Sequence, residues 1–299
     1  MKRILVIGSS NTDMVIKAPH LPKPGETVLG GMFVKNHGGK GANQALAAGR
    51  LGGNVSFVGS VGADSFGKDA LDSLSQEHVD VSLSRICEDA PSGVALINVG
   101  EQAQNTIVVA PGANDRLLPE HLDKALSLLD EDSVVLMQLE IPLETVVYAS
   151  ELGDRLGARV ILNPAPAAAL PEDLYRHLYA IIPNETEAEL LTGIKVENED
   201  DARRAADALS MKGVRLVIIT MGAKGAFVKD GSLYYMVPSV PVKAVDTTAA
   251  GDTFCGAFSV ALSQNRDIRD AVAFACKCAS ISVTRMGAQQ SAPYLSEVQ

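Results

Sequence analysis

The sequence predicts an α/β protein with a mainly parallel, Rossmann-like sheet flanked by helices, and a small separate β-sheet. Short apolar runs that end in glycine or polar residues alternate with stretches of helical period. This alternation is typical of a parallel sheet covered on both faces. Two strand-only stretches, 13–38 and 91–110, fall outside that alternation and predict the small sheet.

The predicted elements follow in chain order. Strands are expected at 4–7, 55–61, 134–139, 159–162, 180–183 and 216–220, with a β-meander at 226–237. Helices are expected at 43–51, 66–77, 120–130, 143–156, 201–211, 250–263 and 268–284. The small sheet takes an antiparallel piece within 11–37 and strands 92–99 and 105–110, which the polar connection GEQAQ joins as a hairpin. The large domain therefore covers 1–12, 39–90 and 111–299, and the small one 13–38 and 91–110.

Composition limits the classes of function. The chain has 299 residues and a formal net charge of −10, which disfavours a nucleic-acid partner. The first apolar run has only four residues, so we expect no signal peptide, and no run approaches the roughly 20 residues that span a membrane. The four cysteines form no CxxC pair, which predicts buried thiols in a reducing, cytoplasmic compartment.

Polar residues, and one glycine, follow the predicted strands at their carboxyl ends. Open α/β sheets bind their ligands at that edge, so these residues are candidates for a site. They are Asn11, Asp13, Glu140, Asn163, Asn184, Glu187, Thr220 and Gly222.

The segment GGKGANQA at 38–45 is the first motif that points to a ligand. Three glycines surround Lys40 just before an alanine-rich helix, so the backbone can approach a ligand closely. Asn43 adds amide donors and an acceptor. The alternative interpretation is a flexible turn that carries a solvated lysine.

The segment GADSFGKD at 62–69 matches a P-loop except at its last position. Asp69 stands where a P-loop needs serine or threonine for magnesium, so we interpret the segment as a turn that starts a helix. No GxGxxG follows the first strand, which disfavours an NAD-dependent dehydrogenase.

The segment DTTAAGDTF at 246–254 is the second motif. Its small residues let the chain turn into a helix whose first amides remain free for an anion. Asp252 lies in that first turn, and the natural role of a carboxylate beside a phosphate site is a general base toward an attacking hydroxyl. The alternative is a helix cap, worth about 1 kcal/mol.

The ordered set of motifs resembles the PfkB carbohydrate kinases over nearly the whole chain. It comprises GGKGANQA, PNETEAE at 183–189, TMGAKG at 220–225 and DTTAAGD. PGAN at 111–114, NPAP at 163–166 and TRMGAQ at 284–289 narrow the resemblance to members that phosphorylate D-ribose at O5. The resemblance implies an ATP-dependent kinase with Mg²⁺, activated by K⁺, in which the small sheet forms a lid and the interface of a homodimer.

The resemblance also implies a role for individual residues. Asp252 would be the base, and the anion hole would use the backbone amides of Ala249, Ala250 and Gly251. The sugar would contact Asn11, Thr12, Asp13, Gly39, Lys40, Gly41, Ala42, Asn43, Glu140 and Asp252. The nucleotide would lie along Asn184, Glu187, Thr220, Met221, Gly222, Ala223, Lys224, Gly225, Gly251, Asp252 and Cys276, with Asn184 and Glu187 acting on Mg²⁺ through water. K⁺ would be held, partly by backbone carbonyls, by Asp246, Thr248, Ser282, Arg285, Gly287 and Ser291.

Two departures from the family pattern leave the preference for a particular nucleotide base undecided. Cys255 and Cys276 stand where members of this branch usually carry asparagine. Two other functions also remain open at this point. One is a kinase of the same family for another sugar, such as 2-deoxyribose. The other is a non-catalytic sugar-binding regulator, which an intact Asp252 and Gly251 disfavour.

Overall fold

The computed structural model describes residues 1–100 and 104–298. Over these residues the strands are β1 (Arg3–Ile7), β2 (Asn11–Ala18), β3 (Met32–Gly38), β4 (Asn54–Val58), β5 (Ser60–Gly62), β6 (Arg85–Cys87), β7 (Gly93–Gly100), β8 (Asn105–Ala110), β9 (Val134–Met137), β10 (Arg159–Leu162), β11 (Ala180–Ile181), β12 (Leu216–Thr220), β13 (Ala226–Asp230) and β14 (Leu233–Val237). The α-helices there are α1 (Lys40–Arg50), α2 (Ser65–Gln76), α3 (Asp123–Leu126), α4 (Leu143–Arg155), α5 (Glu185–Thr192), α6 (Glu199–Met211), α7 (Ala250–Ser263), α8 (Ile268–Ser282) and α9 (Leu295–Val298).

The main sheet, in the described part of the chain, has the strand order β14-β13-β12-β11-β10-β9-β1-β4. The strands from β12 to β4 are parallel, and β13 and β14 extend one edge as an antiparallel hairpin. The strand β9 is buried at every position, as expected where helices cover both faces. The predicted fold class is therefore confirmed.

Successive side chains of β1 enter two different cores. Ile4 and Val6 pack in a core shared with α1, α7 and α8, while Leu5 and Ile7 pack in a second core with α4 and α6. Neighbouring strand residues point to opposite faces, so one apolar run can serve both. Because the strands are parallel, their carboxyl ends lie at one edge of the sheet, and the candidate site residues that follow them lie at that edge.

Helices α1 and α7 approach each other closely on one side of the sheet. A Cβ at Gly256 of α7 would lie 2.7 Å from the backbone oxygen of Gln44 on α1, so only glycine allows this contact. One turn before Gly256, the same approach brings Asp252 to the side chains of Asn43 and Gln44.

The small sheet has the order β3-β2-β7-β8 in the described residues. Strand β2 pairs antiparallel with β3 and parallel with β7, and β7 pairs antiparallel with β8. The two strand-only stretches therefore form a sheet separate from the main one, as predicted. Residues 101–103, the centre of the predicted hairpin connection, lie outside the described residues.

The predicted strand 55–61 is wrong as a single element. The chain instead forms β4, which belongs to the main sheet, and β5, which pairs with β6. The change of pairing partner falls at Gly59, and a single glycine inside a strand pattern does not by itself reveal such a change.

The predicted helix 120–130 is also shorter than expected. It consists of a 3-10 turn at Pro119–His121 and the single turn α3. The hydroxyl of Ser133 accepts from the amide of Asp130 at 3.0 Å. Before that point the amides of Leu128 and Leu129 already donate three residues back, to Ala125 and Leu126, so α-helical bonding has given way to 3-10 turns.

Helix α5 was not predicted, although its first residues carry a recognisable signal. Asn184 accepts from the amide of Glu187 at 2.8 Å, and Glu187 accepts from the amide of Asn184 at 2.9 Å. This reciprocal pair is a capping box, which marks the start of a helix. None of the helices in the described ranges combines the length and the apolar character needed to cross a bilayer.

Candidate active site

Two cavities formed by the described residues meet at the amino-terminal end of α7. The smaller, of about 210 Å³, contacts Lys40, Asn163, Glu187 and Asp252. The larger, of about 770 Å³, lies between the loop after β12 and helix α8. Its volume is within the range of pockets that hold nucleotide-sized ligands. Both cavities share Asn184, Thr220, Thr247, Ala250 and Gly251.

The first turn of α7 has the backbone geometry of an anion site. Ala249 precedes it with φ 58°, a left-handed conformation that costs a non-glycine residue about 1–2 kcal/mol. The turn aims the positive end of the helix at both cavities. The amide of Ala250 donates to the carbonyl of Thr247, but only at a long 3.3 Å. Ala249, Ala250 and Gly251 all lie in the wall of the smaller cavity.

Asp252 is buried and lines the smaller cavity, next to Gly251, which lines both. Its Oδ2 accepts from Nδ2 of Asn43 at 2.9 Å, and its Oδ1 accepts from Nε2 of Gln44 at 3.0 Å. Burial raises the pKa of the carboxyl, while the charge of Lys40 and the two amide bonds oppose that rise. A carboxylate with a raised pKa is a stronger base than an exposed one.

Lys40 and Glu140 lie beside Asp252 at the start of α1. Oε2 of Glu140 accepts from the hydroxyl of Ser9 at 2.6 Å and from the amide of Lys40 at 3.0 Å. Burial lowers the pKa of Lys40, but the carboxylates of Asp252, Glu140 and Glu187 outweigh it and the pKa is raised. The ammonium group is therefore charged and balances the carboxylates around it.

The predicted sugar-binding residues of β2 lie at the same edge. Oδ1 of Asn11 accepts from Nδ2 of Asn114 at 2.8 Å, which orients its amide. Burial, together with the charges of Glu140 and Asp252, raises the pKa of Asp13 to about 6. Four other residues of the predicted sugar-binding set lie next to these in the chain and are buried: Thr12, Gly39, Gly41 and Ala42.

Asn184 and Glu187 begin α5 at the shared edge of both cavities. Asn184 contacts both cavities, and Glu187 contacts the smaller one. Burial raises the pKa of Glu187, although the bond from the Asn184 amide and the charge of Lys40 oppose the rise. Oxygen ligands from a carboxylate and an amide suit a hard divalent cation.

The glycine-containing loop after β12 reaches the larger cavity with only some of its residues. Thr220, Gly222, Ala223 and Gly225 contact the cavity, as does Cys276 of α8. Two predicted nucleotide residues do not contact either cavity of the described chain. Met221 is buried in the core, and the ammonium of Lys224 donates to the carbonyl of Glu197 at 2.8 Å.

The predicted cation residues converge only in part. Asp246 accepts from the amide and hydroxyl of Thr248 at 2.9 and 2.6 Å, and from the amide of Gly287 at 2.9 Å. Burial disfavours its charge, but these bonds prevail and lower its pKa.

The other predicted cation residues lie along the adjoining turn. The carbonyl of Ser282 accepts from the amide of Arg285 at 3.0 Å. The Arg285 side chain pairs with Glu297, and the buried hydroxyl of Ser291 donates to the carbonyl of Ala288 at 2.7 Å. Among the described residues no group of three or more His, Cys, Asp and Glu side chains could hold a metal.

Several polar residues at the site have no role predicted from sequence. They are Ser9, Gln44, Asn114 and Gln138. Gln138 could have been found, because it is a polar residue at the end of an otherwise apolar strand. The partners of Gln44 could not, since they come from distant parts of the chain.

Comparison with known proteins gives the family. Residues 1–295 match the model of the pfkB family carbohydrate kinases. Ribokinase of Haemophilus influenzae is 42% identical, with 99% of this chain and 97% of that protein covered. Deoxyribokinase of Salmonella typhi is 39% identical, with 98% and 96% covered. The structure of Arabidopsis thaliana ribokinase complexed with ribose and ATP superposes with a TM-score of 0.93, at 31% identity, over 99% of this chain and 97% of that one. The predicted enzyme class is confirmed, and the chain belongs to the pfkB family of carbohydrate kinases.

Proposed function

We propose that this protein is a ribokinase, which transfers the γ-phosphoryl group of ATP to O5 of D-ribose and yields ADP and D-ribose 5-phosphate. The observation that carries the proposal is the position of Asp252. Its buried carboxylate contacts the smaller cavity in the first turn of α7, directly after Ala250 and Gly251, which line both cavities. The similarity to ribokinases over nearly the whole chain supports the choice of sugar.

Asp252 acts as the general base in this reaction. Its carboxylate accepts the proton of the 5-hydroxyl as that oxygen attacks phosphorus. Phosphoryl transfer depends on positioning and charge neutralisation more than on covalent catalysis, so one base is sufficient. The raised pKa of Asp252 supports this role, because a base works best when its pKa lies near the working pH.

The sugar is held next to the smaller cavity, around Asp252, by side chains that together supply hydrogen-bond donors and acceptors. Asn11, Asp13 and Glu140 contribute oxygen acceptors, while Lys40 and Asn43 contribute donors. Lys40 and Asp252 contact this cavity, and the electrostatic influence of Glu140 and Asp252 on Asp13 supports their proximity. Such a polar set orients the hydroxyls of a sugar and leaves O5 near the base.

The triphosphate lies along the first turn of α7. Amides of Ala249, Ala250 and Gly251 and the helix dipole stabilise negative charge as it develops on the transferred group. Asn184 and Glu187 would hold Mg²⁺ through water, because carboxylate and amide oxygens suit that ion. When bound, Mg²⁺ neutralises the charge of the phosphates. The adenine occupies the larger cavity, next to Cys276.

The loops that carry Asp246 and Gly287 would hold the activating K⁺. The carboxylate of Asp246 remains ionised and bonds both loops, which supports a cation in their neighbourhood. When bound there, K⁺ would steady the segment that leads into the first turn of α7. Thr248, Ser282, Arg285 and Ser291 complete the proposed set, mainly through backbone oxygens.

The small sheet closes over the sugar and joins two subunits. One face of this sheet includes Asp13, so it is turned to the site. The opposite face exposes Ile16, Phe33, Leu96 and Val108, by 42%, 59%, 51% and 66%. Exposed apolar patches of this kind mark interaction surfaces, and a second copy of the chain is the partner proposed. The four free thiols fit a cytoplasmic enzyme.

A second candidate is phosphorylation of 2-deoxyribose. The deoxyribokinase relative is nearly as similar to this chain as the ribokinases are. The two sugars differ in a single hydroxyl, so both would use the same base and the same nucleotide site.

The test is ADP release by the purified protein with Mg-ATP and ribose, 2-deoxyribose, fructose or adenosine, each in K⁺ and in Na⁺ buffer. We expect ribose to give the highest kcat/KM and K⁺ to raise turnover. A higher kcat/KM for 2-deoxyribose would replace the substrate and keep the mechanism. Ribose binding without turnover of any of these compounds would favour the non-catalytic regulator.

A further inference from the structure

A chain of three buried amides extends from Asp252 to the carboxyl ends of the central strands. Nε2 of Gln44 donates to Oδ1 of Asp252 at 3.0 Å and to Oδ1 of Asn163 at 3.1 Å. Oε1 of Gln44 accepts from Nε2 of Gln138 at 2.6 Å. Nδ2 of Asn163 in turn donates to the carbonyl of Ile182 at 2.9 Å. Every polar atom of the Gln44 side chain is therefore used.

The orientation of these amides follows from the chemistry of Asp252. An ionised carboxylate only accepts hydrogen bonds, so Gln44 must present its amino group to it. The oxygen of Gln44 then faces the opposite way and needs a donor, which Gln138 supplies. The direction of the whole chain is thus consistent with an ionised Asp252.

Gln138 is held in one place by close packing. It follows β9 and is fully buried. A Cβ at Gly8 would lie 2.1 Å from Oε1 of Gln138. The Gln138 side chain therefore occupies space that is open only because residue 8 is a glycine. A buried side chain with so little space keeps a single rotamer, and it can fix Gln44 in turn.

Gln44 itself lies behind the walls of the two cavities described above. Its side chain is fully buried, and it contacts neither of the two cavities that the described residues form. Asn43, the preceding residue, does belong to the proposed sugar set and donates to the other oxygen of Asp252. Two neighbouring residues of α1 therefore hold the two oxygens of one carboxylate, and only the second is shielded from substrate.

We propose that Gln44 is a positioning residue for the base, with Gln138 as its support. The bond to Oδ1 stops rotation of the Asp252 carboxylate, so that a lone pair stays directed at the attacking hydroxyl. This inference rests on the proposed function, because it takes Asp252 as the base. Catalytic groups depend on such supports, since small losses of geometry cause large losses of rate.

Gln44 also favours the ionised form of Asp252. Its hydrogen bond opposes the rise in pKa that burial causes, as does the charge of Lys40. The charged groups that face Asp252 from the surrounding elements are Lys40, Asp13, Glu140 and Glu187. Without Gln44, more of the base is protonated at a given pH. A purely structural role for Gln44 would not alter the titration of the rate.

The test compares Gln44→Met with the wild type by steady-state ADP release over pH 5 to 9. We expect kcat to fall by about 10- to 100-fold, part of the 10²- to 10⁴-fold that a general base supplies. The acid limb of the kcat profile should move to higher pH, while KM for ribose changes little. Gln138→Met should shift both quantities in the same direction by less.

Thr145→Val is the matched control for the loss of a buried hydrogen bond. Thr145 is fully buried on α4, away from the site, and its hydroxyl donates to the carbonyl of Leu117 at 2.6 Å. This variant should lower the melting temperature and leave the pH profile unchanged. If Gln44→Met does not fold, Gln138→Met carries the same test.

Asp252→Asn, assayed in parallel, separates the two ideas. If Asp252→Asn is inactive while Gln44→Met keeps the wild-type kcat and acid limb, the inference about Gln44 is overturned and the proposed function stands. If Asp252→Asn keeps its turnover, Asp252 is not the base, and both the mechanism and the inference are overturned.

Discussion

Strand β9 of the main sheet is buried at every position, whereas every residue of β8 in the small sheet is exposed. The main sheet carries helices on both faces, and polar groups at its carboxyl edge bond one another. The small sheet has no comparable cover within the described chain, and the face opposite Asp13 exposes large apolar side chains among polar ones. The difference suits two roles. The main sheet holds the side chains of the candidate site in fixed positions, while the small sheet offers exposed surfaces for the proposed substrate and the proposed second subunit.

This contrast leads to different expectations for substitutions in the two regions. A change in the buried edge of the main sheet should alter the rate or the metal response and leave assembly intact. A change on the outer face of the small sheet should alter assembly and leave the titration of the base intact.

The largest effect is expected at Asp252. Asp252→Asn keeps the shape of the side chain but removes the base, so kcat should fall by about 10³-fold or more with the fold preserved. Steady-state ADP release with ribose gives kcat, and a thermal melt confirms folding. Turnover within a few-fold of the wild type would contradict the assignment of the base.

The next largest effect is expected on the apolar face of the small sheet. Leu96→Glu with Val108→Glu places two carboxylates among exposed apolar side chains, which are paired in register across β7 and β8. The proposed dimer should dissociate to single chains, as measured by light scattering. Leu233→Glu, at a 60% exposed leucine of the main sheet, is the control and should leave the assembly unchanged. A wild type that is already monomeric would contradict the proposed interface.

A smaller effect is expected at Glu187. Glu187→Gln removes a buried charge beside the cavities, so the Mg²⁺ concentration for half-maximal rate should rise by about tenfold. ADP release is measured against Mg²⁺ at constant ATP. Glu189→Gln changes an exposed residue of the same helix and should have no effect. An unchanged Mg²⁺ response in Glu187→Gln would remove this residue from the metal site.

The smallest effect is expected on stability at Asp13. Burial and two carboxylates raise its pKa from 3.8 to about 6, so its ionisation opposes folding. Below pH 3.8 Asp13 is protonated in both the folded and the unfolded chain, so it costs no stability. As the pH rises through 6, the buried carboxyl must ionise, and the free energy of unfolding falls. Asp13→Asn should therefore be more stable than the wild type by about 1–2 kcal/mol at pH 7.5, after allowance for partial exposure, and equally stable near pH 3.5.

Thermal or urea unfolding at both pH values measures this difference in stability. A variant that is less stable than the wild type at pH 7.5 would contradict the assignment of the raised pKa to Asp13. Its KM for ribose should rise, because the proposed sugar site loses an acceptor.

Local patterns in the sequence were sufficient for much of the fold. Helix α7 and strands β10 and β12 have the predicted limits, because their apolar runs end at polar or glycine residues. The segment 55–61 failed because pairing partners are decided by distant strands. Helix α5 was missed because Asn184 and Glu187 were assigned to metal binding and their spacing was not recognised as a capping box.

The candidate site was predictable residue by residue but not as an arrangement. The motifs singled out Asn43 and Asp252, which are 209 positions apart, yet nothing local indicated that they bond each other. Gln44 lies next to Asn43 in the same motif and was given no role. Its importance arises from the packing of α1 on α7, and that packing is a property of the folded chain.

The most direct test of the central claim is identification of the product. Equimolar ribose and ATP are incubated with the protein and Mg²⁺ in K⁺ buffer, and the mixture is analysed by ³¹P and ¹³C NMR. The account predicts one phosphomonoester on C5 of ribose for each ADP formed. Inorganic phosphate without a sugar phosphate, or a phosphate on C1, would contradict transfer to O5 at the Asp252 site.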